Sequence, residues 1–505
     1  MAKPIMIQGT MSNVGKSLIT AGLCRIFYQD GYKVAPFKSQ NMALNSFITK
    51  EHLEMGRAQA VQADACRIEP DIRMNPILLK PTTDMGSQVI INGEVIGNMR
   101  AMEYFRKKKE YIPVVRQAYE SLAAEHDILV IEGAGSPAEI NLKQNDIVNM
   151  GMAEIADAPV LLTGDIDRGG VFAQLIGTVM LLEKQEQERI QGLIINKFRG
   201  DKKILEPGLL MLEERCRKKV VGVVPYLDVE IEEEDSLAES LGKKKSGNGI
   251  DLAVIRFPRI SNFTDLQAFT LEPDVSVRYA GKVAELGQPD VILLPGTKNT
   301  VKDMEWLRES GLEAAILKCH KKGSVVFGIC GGFQMLGEAI QDAYGVEGGS
   351  KIRGLGLLPV DTVFEEEKTR TRVQGQIGYL QGNFGELSGK KVNGYEIHMG
   401  HTVRKDGATP FLELEDSFED SKERERAKED GCCKGTVFGT YLHGIFDEQE
   451  FRSAFVRILC RIKGVPYQPG EKITYQEYKE QQFDKLAEEL RNSLDMDRIY
   501  RIIGK

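Results

Sequence analysis

The sequence predicts an α/β protein made of two parallel-sheet α/β domains with a helical C-terminal tail. Three observations predict it. Short apolar runs alternate with amphipathic helical stretches through both halves, the pattern of a doubly wound parallel sheet. Each half carries a strand that turns through glycines into a helix: Gly9-Thr-Met-Ser-Asn-Val-Gly-Lys-Ser17 in the first, Gly328-Ile-Cys-Gly-Gly332 in the second. Between the halves, Asp228 to Gly249 passes from an acidic run to Lys-Lys-Lys and is poor in apolar residues, which reads as a linker. A chain of 505 residues fits two or three domains. The expected boundaries are 1–235, a linker at 236–249, 250–465, and the tail at 466–505. The net charge of −8 gives no global attraction to nucleic acid or to anionic membranes. No apolar stretch approaches the length of a membrane span, and the chain opens on a strand rather than a leader, so a cytoplasmic protein is expected. The eight cysteines lack paired metal spacing and read as reduced thiols.

In the first half, Pro4-Ile-Met-Ile-Gln8 is a strand and Leu18 to Phe27 a helix. The Gly-rich turn and Gly15-Lys16-Ser17 between them have the form of a phosphate-binding loop. Its glycines let backbone N–H groups face phosphate oxygens, Lys16 neutralises the outer phosphates, and the Ser17 hydroxyl suits Mg²⁺. Five residues rather than four separate Gly9 from Gly15. Lys33 to Lys38 is a second strand, followed by the polar loop Ser39-Gln-Asn-Met-Ala-Leu-Asn45. Gly56 to Ile68 is helical, and its polar residues read equally as a solvated face or as ligand contacts. Asn75 to Pro81 is another strand with Lys80 at its end. Asp127-Ile-Leu-Val-Ile-Glu132 then ends in an acid directly before Gly133-Ala-Gly135, where a rigid strand tip offers a Mg²⁺-side carboxylate. Asp146, on the next loop, is either a second transfer-site acid or a helix cap. Pro159 to Asp165, Ile190 to Lys197 and Val220 to Pro225 complete the strands.

These motifs together resemble the dethiobiotin synthetase group of ATP-dependent ligases. The resemblance implies that Gly9, Thr10, Asn13, Gly15, Lys16 and Ser17 hold the ATP phosphates. It also implies that Glu132 joins Ser17 on Mg²⁺, and that Asn196 and the loop at Pro225 lie by adenine.

The second half begins with the strand Ile250 to Arg256 and the loop Pro258-Arg-Ile-Ser-Asn-Phe-Thr-Asp265, followed by Asp290-Val-Ile-Leu-Leu-Pro-Gly296. Ser324-Val-Val-Phe-Gly-Ile-Cys330-Gly-Gly then places a cysteine at a tight strand-to-helix turn. The neighbouring glycines remove side chains that would clash there, and the helix dipole favours a thiolate. A buried structural cysteine is the competing reading. A thiolate nucleophile needs a base. Among six histidines, His443 in Gly439-Thr-Tyr-Leu-His-Gly-Ile-Phe has the best setting, with His398 and His401 next. Cys330 and His443 in these contexts resemble the class I glutamine amidotransferase domain. The resemblance implies attack by Cys330 on the glutamine amide, proton transfer by His443, and an oxyanion held by N–H groups near Gly296 and Gly331. That larger family carries a Glu two residues after the His; here the position is Ile445, so either a Cys-His dyad is expected or another group replaces the acid.

Both domains in this order resemble the cobyric acid synthase family, with Ser39 to Ser46, Gly135 to Leu142, Arg259 to Asp265, Tyr395-Glu-Ile-His398 and Ser493-Leu-Asp-Met-Asp497 carrying the likeness. The resemblance implies a ligase that uses ATP and glutamine to amidate a corrinoid polycarboxylate through an acyl phosphate. Lys38, Arg57, Lys80 and Arg168 are basic candidates for that polyanion. Two other readings compete: an enzyme of the cobyrinic acid a,c-diamide synthase kind, and a P-loop positioning or partition ATPase, which has no use for the Cys330 turn.

Overall fold

The computed structural model describes residues 2–83, 86–232, 249–417, 427–470 and 472–505. Most of the expected linker, 236–248, lies outside the described residues, as does 418–426 within Glu413 to Gly431, a charge-dense stretch whose sequence reads as an exposed loop of mixed charge. The chain divides into two compact units. One comprises Met1–Ala43, Glu54–Glu232 and Tyr478–Lys505; the other comprises Leu44–Leu53 and Glu233–Glu477. The units thus depart from a simple serial division in two places. A short early segment folds with the second unit, and the C-terminal helices fold with the first.

The first unit is built on a parallel sheet in the order Val220–Pro225, Ile190–Phe198, Val160–Asp165, Lys3–Gly9, Ile128–Glu132, Val34–Phe37. The central strands Ile128–Glu132 and Val160–Asp165 are buried along their whole length, as strands covered on both faces are, and their polar residues gather toward their C-terminal ends. Gly9 and Glu132 therefore end neighbouring strands at the same edge of the sheet, with Ile7 in register with Glu132. The strand expected at Asn75 to Pro81 is present as Ile77–Thr83 but belongs to a separate sheet with Gln40–Met42, Gly86–Ile91 and Glu94–Arg100. A short apolar run does not reveal which sheet it joins, because burial on one face or two gives the same run at this length. Lys80 consequently lies inside a strand, where it pairs with Glu54 at 2.9 Å.

The expected tail is part of the first unit's core. Phe483, Leu486, Leu490, Leu494, Ile499 and Ile503 are buried with residues of the Lys16–Gln29 helix. Gly22 of that helix admits this contact, since a Cβ there would lie 2.2 Å from Leu490 Cδ1. Buried Arg25 adds ion pairs to Glu480 and Asp484 at 2.7 and 2.8 Å. The helix that follows the phosphate loop is thereby clamped from behind.

The second unit contains a sheet in the order Val275–Ala280, Ile250–Ile255, Val291–Leu294, Val325–Ile329, Val437–Thr440, Cys432–Lys434; all are parallel except the last. A mixed sheet is built around the long strands Val360–Ile377 and Lys391–Arg404. The charge-dense stretch contributes the strands Leu412–Asp416 and Lys428–Asp430 to it, so its described ends are not loop. Behind the loop after His443, buried Arg452 pairs with buried Glu272 at 3.1 Å and donates to Phe446 O and Asp447 O at 2.8 and 3.1 Å. Removing one partner leaves an uncompensated buried charge. Glu272→Ala is expected to lower unfolding stability by about 3–5 kcal/mol, read from the denaturant midpoint.

Candidate functional site

The phosphate loop keeps its shape through close approach. A Cβ on Gly9 would meet Val14 Cγ2 at 2.5 Å. Gly15 has φ +93°, and a Cβ there would meet Asn196 Nδ2 at 2.2 Å. Asn196 Nδ2 donates to Val14 O at 2.8 Å, and Lys197 Nζ donates to Asn13 O at 2.8 Å while pairing with Asp165 at 3.1 Å. Thr10 is fixed by its N–H to Thr163 O and its hydroxyl to Gln174 Oε1. Lys16 Nζ lies across the loop, donating to Met11 O at 3.0 Å and Gly135 O at 3.3 Å. Pro225 ends the Val220–Pro225 strand, two strands away from Val160–Asp165 across the same sheet.

Glu132 gathers the polar groups of this edge. Its Oε1 accepts from Ser17 Oγ at 2.9 Å and Lys38 Nζ at 2.8 Å, and its Oε2 accepts from Gln62 Nε2 at 2.5 Å. Burial alone would raise the carboxyl's pKa, but Lys38 first, then Gln62 and Lys16, hold it below the ordinary range, so it is a carboxylate at neutral pH. A hydroxyl and a carboxylate oxygen side by side are hard oxygen donors of the kind that holds Mg²⁺ beside a nucleotide. Gln62 answers the open question about the Gly56 to Ile68 helix. Gln59 and Gln62 both point inward, Gln59 accepting from Asn41 Nδ2 at 3.0 Å. Asp146 accepts from the N–H groups of Val148, Asn149 and Gly151 at 2.8, 3.0 and 2.9 Å, which caps the Met150–Ile155 helix. Of the basic candidates, Lys38, Arg57 and Lys80 pair with Glu132, Glu232 and Glu54. Arg168 stands on the exposed Ile166 to Gly170 turn.

The second unit holds another centre. Cys330 follows the Val325–Ile329 strand with φ +53°, a strained conformation for a residue with a Cβ, and precedes the Gly331–Leu336 helix. Gly332 permits the turn, since a Cβ there would lie 1.9 Å from Leu294 O. Cys330 N donates to Thr440 O at 2.8 Å, which ties the turn to the neighbouring strand. His443 follows that strand, fully buried. Its Nδ1 lies 2.8 Å from Asp265 Oδ2, and Asp265 Oδ1 accepts from Gly444 N at 3.0 Å. Burial would depress the imidazole's pKa, yet the Asp265 carboxylate, aided by a hydrogen bond with Cys330, raises it to about 10. Tyr395 stacks on the imidazole at 5.2 Å between centroids.

Asp265 supplies what Ile445 does not. The alternative in which another group replaces the acid is the one the structure shows, and the Cys-His dyad gives way to Cys330, His443 and Asp265. His398 is half-buried and stacked on Tyr441 at 3.7 Å between centroids, and loss of solvation above all depresses its pKa to about 3, so it is neutral. The N–H of Gly331 begins a helix, where no intrahelical acceptor exists. Gly296 lies against the ring, since a Cβ there would meet His443 Cε1 at 3.2 Å. A thiol beside an imidazole held by a carboxylate is an arrangement that activates a nucleophile, with backbone donors nearby for an oxyanion.

Residues 5–238 match the model of the CobQ/CobB/MinD/ParA nucleotide binding domain, and residues 251–451 match the CobB/CobQ-like glutamine amidotransferase domain. The chain is 58% identical over 513 aligned positions to the cobyric acid synthase of Lachnoclostridium phytofermentans, covering 100% of this chain and 99% of the relative. It is 57% identical to that of Ruminiclostridium cellulolyticum, covering 100% and 97%, and 48% identical to that of Streptococcus sanguinis, covering 100% and 99%. Among the described residues no helix is long and apolar enough to cross a membrane. With a nucleotide-binding half, an amidotransferase half and likeness over the whole length, the chain belongs to the cobyric acid synthase family of glutamine-hydrolysing, ATP-dependent amide ligases.

Proposed function

We propose that the protein amidates the b, d, e and g carboxylates of adenosylcobyrinic acid a,c-diamide to give adenosylcobyric acid, using ATP and glutamine. The arrangement of Cys330, His443 and Asp265 carries this reading, because a nitrogen-releasing centre has no place in a positioning or partition ATPase. Cys330 attacks the glutamine carboxamide carbon. N–H groups at Gly296 and Gly331 hold the oxyanion, and the proton on His443 passes to the leaving ammonia. Water then cleaves the thioester with His443 as base, releasing glutamate.

A carboxylate resists attack because of its charge, so the acceptor oxygen first takes the γ-phosphoryl group of ATP, leaving ADP and an acyl phosphate. Ammonia adds to the acyl carbon and phosphate departs. Lys16 and the loop N–H groups hold the phosphates, and Asn196 and Pro225 border the base. Ser17 and Glu132 would hold Mg²⁺, which offsets phosphate charge during transfer. Asp146 serves the transfer site by fixing the turn that leads into the Met150–Ile155 helix. Arg168, exposed beside two flexible glycines, is offered to acceptor carboxylates. The eight free cysteines support a cytoplasmic setting.

Incubating the a,c-diamide with ATP and glutamine, then weighing the corrinoid product by mass spectrometry, tests the assignment. Four successive amidations are expected. Amidation of unmodified cobyrinic acid at a and c, with the diamide left unchanged, would assign the chain to the other corrinoid reaction.

A further inference from the structure

The segment Leu44–Leu53 departs from the first unit, folds with the second and returns. The chain on either side of it binds one carboxylate. Lys38 precedes it and donates to Glu132 Oε1 at 2.8 Å; Gln62 follows it and donates to Glu132 Oε2 at 2.5 Å. The segment itself grips two neighbours of His443. Asn45 Oδ1 accepts from the Asn262 backbone N–H at 2.6 Å, and Ser46 N–H donates to Asn262 Oδ1 at 3.2 Å. Ile48 is buried with Tyr395 and Ile397, and the Phe47 ring lies 6.2 Å from the Tyr395 ring. Tyr395 stacks on His443, and Asn262 Nδ2 lies 3.4 Å from His443 Nε2.

The orientation of the Asn262 amide has a chemical consequence. A backbone N–H can only donate, so Ser46 fixes the carbonyl oxygen of Asn262 toward the segment and the NH₂ toward the ring. With the imidazole protonated at neutral pH, a donor facing Nε2 opposes the Nε2–H of the imidazolium that partners the Cys330 thiolate. Asn262 is held in this place at φ +51°, a strained conformation that its bonds to Asn45 and Ser46 maintain.

We propose that Leu44–Leu53 is a coupling strap: Asn45 holds Asn262 as a brake on His443, and rearrangement of the bonds to Glu132 when nucleotide binds relaxes it. Asn45 and Asn262 are positioning residues in this scheme, which rests on the reading of Cys330 and His443 as a glutaminase. The strap gives glutamine cleavage a dependence on the ATP side through covalent continuity alone.

The test is glutamine hydrolysis by the full chain, with and without ATP and the corrinoid acceptor, as a function of pH. In the wild type, ATP and acceptor are expected to stimulate hydrolysis. Asn45→Ala and Asn262→Gly are expected to raise unstimulated hydrolysis about five-fold or more and to bring the stimulation ratio toward one. They also move the limb of the profile that reports loss of the imidazolium proton to higher pH, because the facing donor no longer holds that pKa down, while the other groups around the imidazole (Asp265, Cys330, Glu396 and His398) stay in place. Asn45→Asp keeps the acceptor for Asn262 N–H and should behave as wild type, which excludes a general folding defect. Full stimulation retained in Asn45→Ala, or equal loss of both rates with an unmoved profile, would overturn the strap, as would a wild type that ATP and acceptor do not stimulate. Hydrolysis that survives Cys330→Ala would instead overturn the underlying glutaminase reading.

Discussion

Cys330→Ala is expected to lower glutamine-dependent amidation by about 10⁴-fold or more, while amidation driven by added ammonium salt continues near the wild-type rate. The physical reason is a division of labour. The thiolate serves only to release nitrogen, and no other described cysteine sits at a strand-to-helix turn facing a buried imidazole. Removing the sulfur takes away the covalent route but leaves Lys16, Ser17 and Glu132 in place to activate the acceptor. The Ala side chain is smaller than Cys and keeps the Cβ already accommodated at φ +53°, so the turn itself is preserved. Loss of both activities in a folded variant would contradict separate nitrogen-releasing and carboxylate-activating centres.

Asp265→Asn should reduce glutamine hydrolysis by roughly 10⁴-fold, the scale found when a base loses the carboxylate that fixes its tautomer. The amide has nearly the same shape, so the defect is electronic. Asp265 is what carries the His443 pKa up to about 10 against the opposing effect of burial. Without that carboxylate, burial prevails and the ring is neutral at pH 7. The same substitution changes stability with a definite sign. A histidine whose folded pKa is raised above its unfolded value of 6.5 stabilises the fold fully below 6.5, and that contribution is lost as pH rises through about 10. Wild-type unfolding free energy should therefore fall between pH 6.5 and 10 more steeply than that of Asp265→Asn, as measured by denaturant titration across this range.

Much of this site is legible in the amino-acid sequence. The loop from Gly9 to Ser17, the strand-end Glu132, the Cys330 turn and His443 are all marked locally, because a tight turn or a buried strand tip leaves glycines and an isolated polar residue in a short stretch. What the sequence hid is what only the fold brings together. Asp265 precedes His443 by 178 positions and lies in a short helical turn, so nothing near the histidine announces it. The Arg259 to Asp265 stretch was visible as a family likeness, not as a catalytic acid. Gln62 looked as much like surface as ligand, because a polar residue on a helix carries no sign of which face the sheet will cover. The C-terminal helices read as a tail because their apolar stripe does not say which unit it buries against. Position alone marks Lys38, Arg57 and Lys80 as basic candidates for the acceptor, and each meets a carboxylate of its own unit.

In the proposed reaction, ATP activates the acceptor carboxylate itself before nitrogen from glutamine arrives. The most direct measurement of this step uses the a,c-diamide with oxygen-18 in its free carboxylates. After turnover with ATP and glutamine, one oxygen-18 is expected in inorganic phosphate for each amide formed. Inorganic phosphate free of label, with amides formed at the full rate, would contradict it.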